Sequence, residues 1–425
     1  MWRSIFISSA ILLTVLTFGC KKEVDESPPT IEVFKPIQNS SYNTFDTIPI
    51  RALLKDDKGL KFASAELQDA DLVTVLPPSS KSLNEPEFQF ITSLIINNIH
   101  LSSGKFYVLI TAKDEVNTTR SFTEIHVNGL PLITKGYMVY ETIGEQVELH
   151  NYFDGTDSVK WVKEGPFKDG LVDNYHQQAG YLQQPDGPFF TLPLYPLFNP
   201  WELPPSQGGI TFCRAQPDQV GIQIGYKNGT LAIFIEEGNL RKTYQSDQDY
   251  YPALSLINGD NVIVWQVKDN PDQNRIEVFF AAGGLRQVSA YNPHVINLVN
   301  KSENEFFIGA NENGNGILQT YNLDNGIFWD NHDFIDNPIV ALCQGKAGVV
   351  FIATEQGIYK YDTNSQSVPS LISDLLAVHL EWDYVNQVLI ITTEDELMIL
   401  NSFWNPIITY PLNGEPEKLM IWYSK

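Results

Sequence analysis

The sequence predicts an all-β protein in which a small β-sandwich precedes a six-bladed β-propeller, with a seven-bladed propeller as the alternative. Three observations predict this class. Short runs in which apolar and polar residues alternate fill most of the chain, which is typical of β-strands. Beyond residue 130 a strand followed by a hairpin recurs about every 42 residues, which is the spacing of propeller blades. The two ends of this repeated region supply complementary parts of one blade.

The composition is that of a globular protein with an acidic surface. Of the 425 residues, 43% are hydrophobic and 19% are charged, so there is enough apolar material for a core. The 51 acidic residues outnumber the 28 Lys and Arg residues and give a formal net charge of -23. Such a charge repels phosphate backbones, and we therefore expect no nucleic acid partner.

Residues 1–19 have the features of a signal peptide. Arg3 supplies the positive charge, and residues 5–18 form an apolar core. That core is too short to cross a bilayer as a helix, which takes about 20 residues. Cys20 follows Gly19 directly, and polar residues come next. This arrangement resembles the lipobox of bacterial lipoproteins, in which the cysteine becomes the first mature residue.

The resemblance implies that Cys20 carries acyl chains such as palmitate and anchors the protein in the bacterial outer membrane. Several acyl chains on one residue hold a protein to a membrane far more firmly than one chain does. Residues 20–28 are then a tether, and the basic and then acidic run at 21–26 is similar to tethers that direct lipoproteins to the cell surface. The alternative is ordinary cleavage without a lipid.

Residues 29–130 predict an immunoglobulin-like β-sandwich. Short alternating runs separated by turn residues favour this fold over a helical one. The turn at 112–117, with the letters AKDEVN, also resembles the A-x-D-x-x-N turn of bacterial Ig-like domains. The predicted strands are 30–34, 47–54, 63–67, 88–96, 106–112 and 121–127.

Two turns of this domain carry oxygen donors suited to Ca²⁺: Asp56, Asp57, Asp114, Glu115 and Asn117. Asx side chains also satisfy turn backbones without any metal. We therefore predict no metal site and leave calcium as the alternative.

Residues 131–425 predict the propeller. Its first strands start 44, 42, 44, 38 and 41 residues apart, each with large apolar residues at positions one and three. The run at 137–149 forms a hairpin with no first strand before it, and residues 419–423 form a first strand with no hairpin after it. Joining the two closes the ring at six blades. The predicted first strands begin at Ile210, Leu254, Ile296, Val340, Val378 and Leu419.

Within this region, residues 352–362 (IATEQGIYKYD) resemble the propeller repeat of periplasmic two-component sensor domains. The resemblance covers one repeat and implies the fold without a function. Cys213 and Cys343 fall at the same position in repeats three apart. A six-bladed ring would hold them on opposite sides, beyond the ~7 Å Cα separation that a disulfide allows. We therefore predict two buried free thiols.

Residues 164–208 break the pattern. They contain eight prolines and eight aromatic residues, and we predict a long insertion between the first two blades. Three interpretations stay open: a cover packed on the domain, a degenerate seventh blade, and an aromatic platform for a sugar or protein. The candidate ligand-binding residues of such a platform are Tyr181, Phe190, Tyr195 and Trp201.

The chain lacks the sequence motifs of catalytic or cofactor sites. It has no G-x-S-x-G, no H-E-x-x-H, no paired cysteines for zinc and no phosphate-binding glycine loop. His379, Glu381 and Asp383 alternate along one predicted first strand and would share one side of it. His379 and Glu381 are therefore further ligand-binding candidates, although a polar patch between blades explains them as well.

These observations favour a non-catalytic surface lipoprotein whose propeller binds a glycan, a peptide or a partner protein. We predict no catalytic residue, no cofactor and no metal. The alternative is a propeller enzyme, a glycosidase or lyase, that acts on polysaccharide with carboxylates in its channel. Assembly with an outer-membrane transporter is a third option.

Overall fold

The chain forms two compact units, one ending at Pro131 and one spanning Leu132–Ser424. The computed structural model describes residues 27–424 except 71, 195–198, 206–208, 217–220, 269–272 and 347. The predicted signal peptide and Cys20 lie outside the described residues, as does the tether up to residue 26. Within the described part of the chain, no helix is long and apolar enough to cross a membrane.

The N-terminal unit is built on one sheet of six described strands. The central strand β3 pairs with β1 through its first half and with β5 through its second half, while β4 follows it along both. The short strand β2 runs parallel to β6. The strands are β1 (Thr30–Lys35), β2 (Ser40–Asn43), β3 (Thr47–Gln68), β4 (Ser79–Ile95), β5 (Gly104–Lys113) and β6 (Thr118–Asn128).

The hydrophobic core of this unit follows from alternation along β3. Ile48, Ile50, Ala52 and Leu54 are buried at every second position, as a half-buried strand requires. The predicted strands 47–54 and 63–67 are parts of this one long strand rather than two. The sandwich itself stays a prediction, because the pairings describe a single continuous sheet.

The two acidic turns of this unit are closed by their own backbones. Asp56 Oδ1 accepts hydrogen bonds from the N–H groups of Lys58 (3.0 Å) and Gly59 (2.7 Å). Asp114 Oδ1 accepts from the N–H groups of Val116 (2.5 Å) and Asn117. Among the described residues, no group of three His, Cys, Asp or Glu side chains could hold a metal ion. Both carboxylates therefore act as turn caps.

The C-terminal unit consists, over its described residues, of seven four-stranded antiparallel sheets. We number them in chain order, and sheet 1 takes its first strand from the C-terminal end of the chain. Sheets 1–3 contain β7 (Ile133–Ile143), β8 (Gln146–Phe153) and β9 (Thr156–Glu164); β10 (Phe167–Asp173), β11 (Gln178–Gln183), β12 (Phe189–Pro193) and β13 (Glu202–Leu203); and β14 (Ile210–Arg214), β15 (Ile222–Tyr226), β16 (Thr230–Phe234) and β17 (Leu240–Gln245). A short 3-10 turn spans Glu236–Gly238.

Sheets 4–7 follow the same order without interruption. They contain β18 (Tyr251–Asn258), β19 (Asn261–Val267), β20 (Arg275–Phe280) and β21 (Leu285–Ala290); β22 (His294–Ser302), β23 (Glu305–Glu312), β24 (Asn315–Asn322) and β25 (Phe328–Phe334); β26 (Ile339–Gln344), β27 (Val349–Thr354), β28 (Gly357–Asp362) and β29 (Ser370–Ser373); and β30 (His379–Asp383), β31 (Val388–Thr392), β32 (Glu396–Leu400) and β33 (Pro406–Pro411). The last strand, β34 (Glu415–Ser424), joins sheet 1.

The first and last strands of the C-terminal unit close the ring, as the sequence predicts. Strand β34 pairs with β7, so that Leu419 lies opposite Val139 and Ile421 opposite Tyr137. The first strands of the seven sheets then neighbour one another in cyclic order. Each pair of neighbouring sheets encloses one apolar cluster, including the pair formed by sheets 7 and 1. This arrangement is that of a β-propeller.

The predicted insertion at 164–208 is wrong, and the six-blade count falls with it. Within this stretch, four strands form sheet 2, with the same strand order as its neighbours: Phe167–Asp173, Gln178–Gln183, Phe189–Pro193 and Glu202–Leu203. Its described prolines lie outside the strands or at their ends: for example, Pro166 precedes β10, Pro185 and Pro188 lie in the turn before β12, and Pro193 is the last residue of β12. Proline ends strands without preventing them, so a dense run of prolines is compatible with short strands.

Candidate functional site: the central cavity

A β-bulge recurs near the start of six of the seven first strands, all of them described in full. In each, the pairing register skips one residue between the first and third of three consecutive positions. A bulge leaves the extra residue unpaired and turns its side chain to a new direction. The skipped residues are Lys168, Thr211, Ala253, Ile296, Val340 and Glu417.

The first strands surround a central cavity of about 820 Å³. All seven sheets contribute to its wall, and five of the six skipped residues line it. This volume lies within the range of ~300–1,000 Å³ that is typical of small-molecule and cofactor sites. The cavity is therefore the place where this fold can enclose a ligand.

Charged side chains lie on one half of the cavity, which is formed by sheets 7, 1, 2 and 3. We call this the polar half. Its ionisable lining residues are His379, Glu381, Glu417, Lys418, Lys168, Asp169 and Arg214.

The first strands of sheets 4, 5 and 6 line the other half with neutral side chains, most of them aliphatic. We call this the apolar half. Its one charged lining residue, Lys346, lies in the loop beyond the end of β26 and is exposed. The strand residues that line it are Ala253, Leu254, Leu256, Ile296, Asn297, Leu298, Val299, Asn300, Val340, Ala341, Leu342, Cys343 and Gln344.

Most charged groups of the polar half already have partners. Lys418 Nζ lies 3.0 Å from Asp169 Oδ1, and this carboxylate raises the pKa of Lys418. Lys168 Nζ donates to two backbone carbonyls, and Thr142 Oγ1 donates to Glu417 Oε1 at 2.6 Å. These contacts stabilise the cavity wall, and the groups that make them are already paired before any ligand binds.

The side chain of Arg214 reaches from sheet 3 to two other sheets. Its guanidinium donates to the backbone carbonyls of Ser255 (2.8 Å) and Leu298 (3.2 Å), which belong to sheets 4 and 5. Burial lowers the pKa of Arg214 to about 10, so the group remains charged at neutral pH. The charge is thus fixed in place beside the cavity.

Glu381 is different, because its carboxyl accepts no hydrogen bond from any described residue. Burial raises its pKa to about 7, although the charges of Lys418 and Arg214 act in the opposite direction. A partly buried carboxyl without a partner is energetically costly in a folded protein. A hydrogen-bond donor from a ligand would remove this cost.

Two further polar atoms of cavity-lining residues lack partners. Asn300 Oδ1 is a buried acceptor and Trp382 Nε1 a buried donor, and neither meets a hydrogen-bonding group. Trp382 stacks on the ring of Phe351, with the ring centres 5.1 Å apart, and Asn300 Nδ2 donates to the carbonyl oxygen of Ile257. Buried polar groups are nearly always satisfied in native proteins. Asn300 Oδ1 and Trp382 Nε1 are nevertheless covered by protein, so among these polar groups it is Glu381 that a ligand in the cavity can reach.

The predicted trio of β30 does share one side of its strand, which faces sheet 1. His379 Nε2 lies 3.1 Å from the carbonyl oxygen of Pro416, and burial lowers the pKa of His379 to about 4. Asp383 Oδ2 accepts from Thr134 Oγ1 at 2.8 Å and from the Tyr137 hydroxyl at 3.2 Å. His379 and Glu381 line the cavity, whereas Asp383 is fully buried between the sheets.

The predicted aromatic residues lie in the packing around sheet 2 and do not meet in one surface. Tyr181 is fully buried, and its hydroxyl donates to backbone carbonyls of Gly165 and Pro166. Phe190 packs beside Tyr181, with the Lys163 ammonium 4.0 Å from its ring centre. Trp201 packs in a different cluster, between sheets 2 and 3. Tyr195 lies outside the described residues.

Both thiols are buried and free, as predicted. Their strand positions differ by one, because Cys213 is the second residue after its bulge and Cys343 is the third. Consequently Cys213 packs between sheets 2 and 3, and Cys343 packs between sheets 6 and 7. Burial raises the pKa of each thiol well above its usual value, so neither is a thiolate at neutral pH.

Sequence reasoning missed Lys168, Asp169, Arg214 and Lys418. Lys168 and Asp169 lie in the stretch 164–208, which the sequence predicts to be an insertion. Arg214 ends one predicted first strand, and Lys418 immediately precedes another. A charge at either end of an otherwise apolar first strand was the available signal.

No protein-family profile matches the chain, and no curated protein matches it either. A quinonprotein alcohol dehydrogenase-like protein from Bacteroides thetaiotaomicron is 12% identical, with a TM-score of 0.46, over 92% of this chain and 98% of its own. The Swd1 β-propeller domain from Myceliophteria thermophila is 11% identical, with a TM-score of 0.43, over 61% of this chain and 94% of its own. The assignment of the C-terminal unit to the β-propellers follows from its own sheets and their closure.

Proposed function

We propose that this protein is a non-catalytic, lipid-anchored protein of the bacterial cell surface whose propeller binds a ligand in the central cavity. The observation that carries the proposal is Glu381, a cavity carboxyl that accepts no hydrogen bond from the described residues. Charged groups around it already have partners: Lys418 pairs with Asp169, and Arg214 donates to backbone carbonyls. Glu381 is therefore the charged group of the described wall to which a ligand would supply the hydrogen bond that the protein does not.

The anchor and the spacer complete the proposal. Cys20, directly after the apolar core of residues 5–18, is the proposed lipid attachment site. The N-terminal unit, which we infer to be an immunoglobulin-like sandwich, separates the anchor from the propeller along the chain. Labelling cells with a palmitate analogue tests this part: wild-type protein should carry the label and Cys20→Ser should not. Label retained by Cys20→Ser would refute lipidation at that residue.

Blocking the cavity tests the binding proposal. Val340 lines the cavity, is 40% exposed and has room for a larger side chain. Residues 20–425 carrying Cys20→Ser should be screened against arrays of neutral oligosaccharides and of peptides, with and without Val340→Trp. We expect the hits to weaken at least tenfold in Val340→Trp.

The matched control is Val288→Trp on the outer strand β21, where valine is 45% exposed and outside the cavity. This variant should bind as the wild type does. If Val340→Trp binds as well as Val288→Trp, the ligand site is not the cavity.

A second candidate function is an enzyme acting on polysaccharide, and the pKa of Glu381 favours it. A carboxyl with a pKa of about 7 can donate a proton at neutral pH, and Asp169 and Glu417 line the same cavity. Both of these already hold partners, Lys418 and Thr142 respectively. Release of reducing ends from a polysaccharide, lost in Glu381→Gln while binding persists, would establish this function in place of the first.

A further inference from the structure

Positively charged side chains outnumber acidic ones on the cavity wall. Glu381 is about half neutral at pH 7, because its pKa is about 7, and His379 adds no charge there, because burial lowers its pKa to about 4. This balance is the reverse of that of the whole chain, whose formal net charge is -23. It favours an anionic ligand, and the small excess favours a single negative charge. The lining cations are Lys168, Arg214, Lys346 and Lys418, and the lining acids are Asp169, Glu381 and Glu417.

Arg214 carries a charge that no described carboxylate meets at ion-pairing distance. Its guanidinium donates instead to the neutral carbonyls of Ser255 and Leu298, and its remaining donors have no partner among the described residues. Leu298 belongs to sheet 5, two sheets along the ring from Arg214, so the side chain extends well beyond its own sheet. A guanidinium is a planar fork of N–H donors that matches the two oxygens of a carboxylate. Arg214 is therefore the lining residue best suited to hold an anion.

Lys418 and Arg214 act on each other and on Glu381. Asp169 raises the pKa of Lys418, whereas the charge of Arg214 acts against it, so the two cations repel each other. The side chain of Lys418 is 41% exposed and lines the cavity, where a ligand can reach it. Both cations also interact with the carboxyl of Glu381. An anion among these three groups would relieve the repulsion between the cations and accept a hydrogen bond from neutral Glu381.

The apolar half specifies what is attached to the anion. Leu254, Ile296 and Val340 line it with hydrocarbon, and Asn297 donates its amide to the carbonyl oxygen of Leu342 at 2.8 Å. An inorganic phosphate would bring no hydrocarbon to this half, and its second charge would exceed the excess of cations on the wall. A carboxylate has a single charge, and an attached hydrocarbon group gains about 25 cal/mol for each Å² that it buries.

We propose that the cavity binds a monocarboxylate with an adjoining hydrocarbon group, its carboxylate among Arg214, Lys418 and Glu381 and its hydrocarbon against sheets 4–6. This inference rests on the proposed binding function and specifies the class of ligand. Two sources have this chemistry: the C-terminus of a peptide that ends in an apolar residue, and a free aliphatic acid.

The test compares each acid with its own amide, which has the same shape and no charge. The protein is residues 20–425 with Cys20→Ser, and the probes are hexanoate with hexanamide, and N-acetyl-Gly-Leu with its C-terminal amide. Isothermal titration calorimetry at pH 6.5 measures Kd. We expect at least one acid to bind at least tenfold more tightly than its amide. Acetate, which lacks the hydrocarbon, and inorganic phosphate should bind at least tenfold more weakly than that acid.

Binding of the acid should depend on pH through Glu381. An anion beside this carboxyl favours its neutral form, so binding takes up a proton and weakens as the pH rises through 7. The neutral fraction of a group with a pKa of about 7 falls from about nine-tenths at pH 6 to about one-tenth at pH 8, so Kd should rise about tenfold. Glu381→Gln should bind with one affinity at pH 6, 7 and 8, whereas the exposed Glu396→Gln should retain the pH dependence.

The titratable groups around Glu381 leave this assignment intact. His379 has a pKa of about 4, that of Arg214 is about 10, and burial raises those of Cys343 and Tyr423 above their usual values. None of these four groups therefore titrates between pH 6 and 8. The titratable and charged groups on the strand of Glu381 and on the strands around it are His379 and Asp383 on β30, Glu417, Lys418 and Tyr423 on β34, Cys343 on β26 and Arg214 on β14.

Arg214→Gln tests the anion contact directly. It should lower the ratio of acid affinity to amide affinity at least fivefold, whereas a general disturbance of the cavity would weaken acid and amide alike. The control is Arg286→Gln on the outer strand β21, whose guanidinium contacts Asn261 and Asp324 outside the cavity. Far-ultraviolet circular dichroism confirms that each variant is folded, and the pH series on the unsubstituted cavity needs no variant.

The outcomes separate the inference from the function on which it rests. Binding of the peptide acid alone, or of hexanoate alone, supports the inference and identifies the source. Equal binding of acid and amide, or an affinity for the acid that does not change with pH, would overturn it. Binding of neutral oligosaccharides alone, lost in Val340→Trp, would also overturn it and keep the cavity as a ligand site. Absence of binding to every probe at millimolar concentration would overturn both proposals.

Discussion

Glu381 shows how the position of a single residue makes the free energy of unfolding of this fold depend on pH. Its strand carries it to the cavity wall, where burial disfavours the charged form and raises the pKa from 4.5 to about 7. The unfolded chain binds a proton at Glu381 only below about pH 4.5. Between these two values the folded state binds more protons than the unfolded state, so stability falls as the pH rises.

Glu381→Gln removes this titration and should reveal its size. Below pH 4.5 the wild-type carboxyl is neutral in both states, so the difference in stability between variant and wild type reaches its low-pH value there. As the pH rises to 8, that difference should shift in favour of the variant by up to about 3 kcal/mol. Urea unfolding of both proteins at pH 5, 6, 7 and 8 measures it. A difference that stays constant with pH would contradict the assignment.

Asp114 is a second single residue that contributes to stability, in this case through the hydrogen bonds that its carboxylate accepts in a turn of the N-terminal unit. Its Oδ1 accepts from two backbone N–H groups and its Oδ2 from Asn117 Nδ2 at 3.1 Å. Asp114→Ala leaves those donors to water or unpaired, so we expect a loss of about 1–2 kcal/mol in the free energy of unfolding of this unit. Glu115→Ala, in the same turn but exposed, should change it by less than about 0.5 kcal/mol. Equal effects of the two substitutions in denaturant titrations would exclude the capping role.

At the scale of the element, β34 decides whether the propeller closes. Leu419 is 2% exposed and packs between sheets 7 and 1, on the strand that pairs with β7 to complete sheet 1. Leu419→Ala should cost about 2–5 kcal/mol. Ile408→Ala, on the outer strand β33 at 38% exposure, removes a similar side chain from the surface and should cost less than about 1 kcal/mol. Thermal unfolding that responds alike to both would argue against closure through β34.

The sequence predicts most of these elements because each first strand shows its own alternation. The six starts from Ile210 to Leu419 all fall in or next to a first strand, and the joining of the chain ends is confirmed. The sequence does not predict sheet 2 as a regular blade, because its strands are short and its turns are rich in proline. These features obscure the alternation of apolar and polar residues. The bulges were not predicted, because they depend on how the first strand pairs with the second. The sequence of one strand does not show this pairing.

The site was predictable only in part, for a related reason. Alternation placed His379 and Glu381 on one side of β30, and both do line the cavity. Their neighbours Arg214 and Asp169 come from sheets that are distant in sequence and meet them only when the ring closes. The division of the cavity into a polar and an apolar half is a property of the ring, so no single strand carries it.

At the scale of the whole molecule, the distribution of charge separates the surface from the cavity. The formal net charge of -23 cannot come from the cavity wall, which is lined by four Lys and Arg residues and three acidic residues. The excess acid therefore lies elsewhere on the molecule, where like charges repel and oppose the compact state. The acidic character of the chain therefore belongs to residues outside the cavity wall, where it favours solubility.

Salt should therefore stabilise this protein. Raising NaCl from 10 to 150 mM shortens the Debye length from about 30 Å to about 8 Å and screens repulsion among the surface carboxylates. We expect Tm to rise by several degrees over this range and to level off above it, because screening is then nearly complete. Differential scanning calorimetry at pH 7.5 measures the change. A rise that continues linearly to 1 M would indicate exclusion of salt from the protein surface instead of screening, and a fall would mean that attraction between charges outweighs their repulsion.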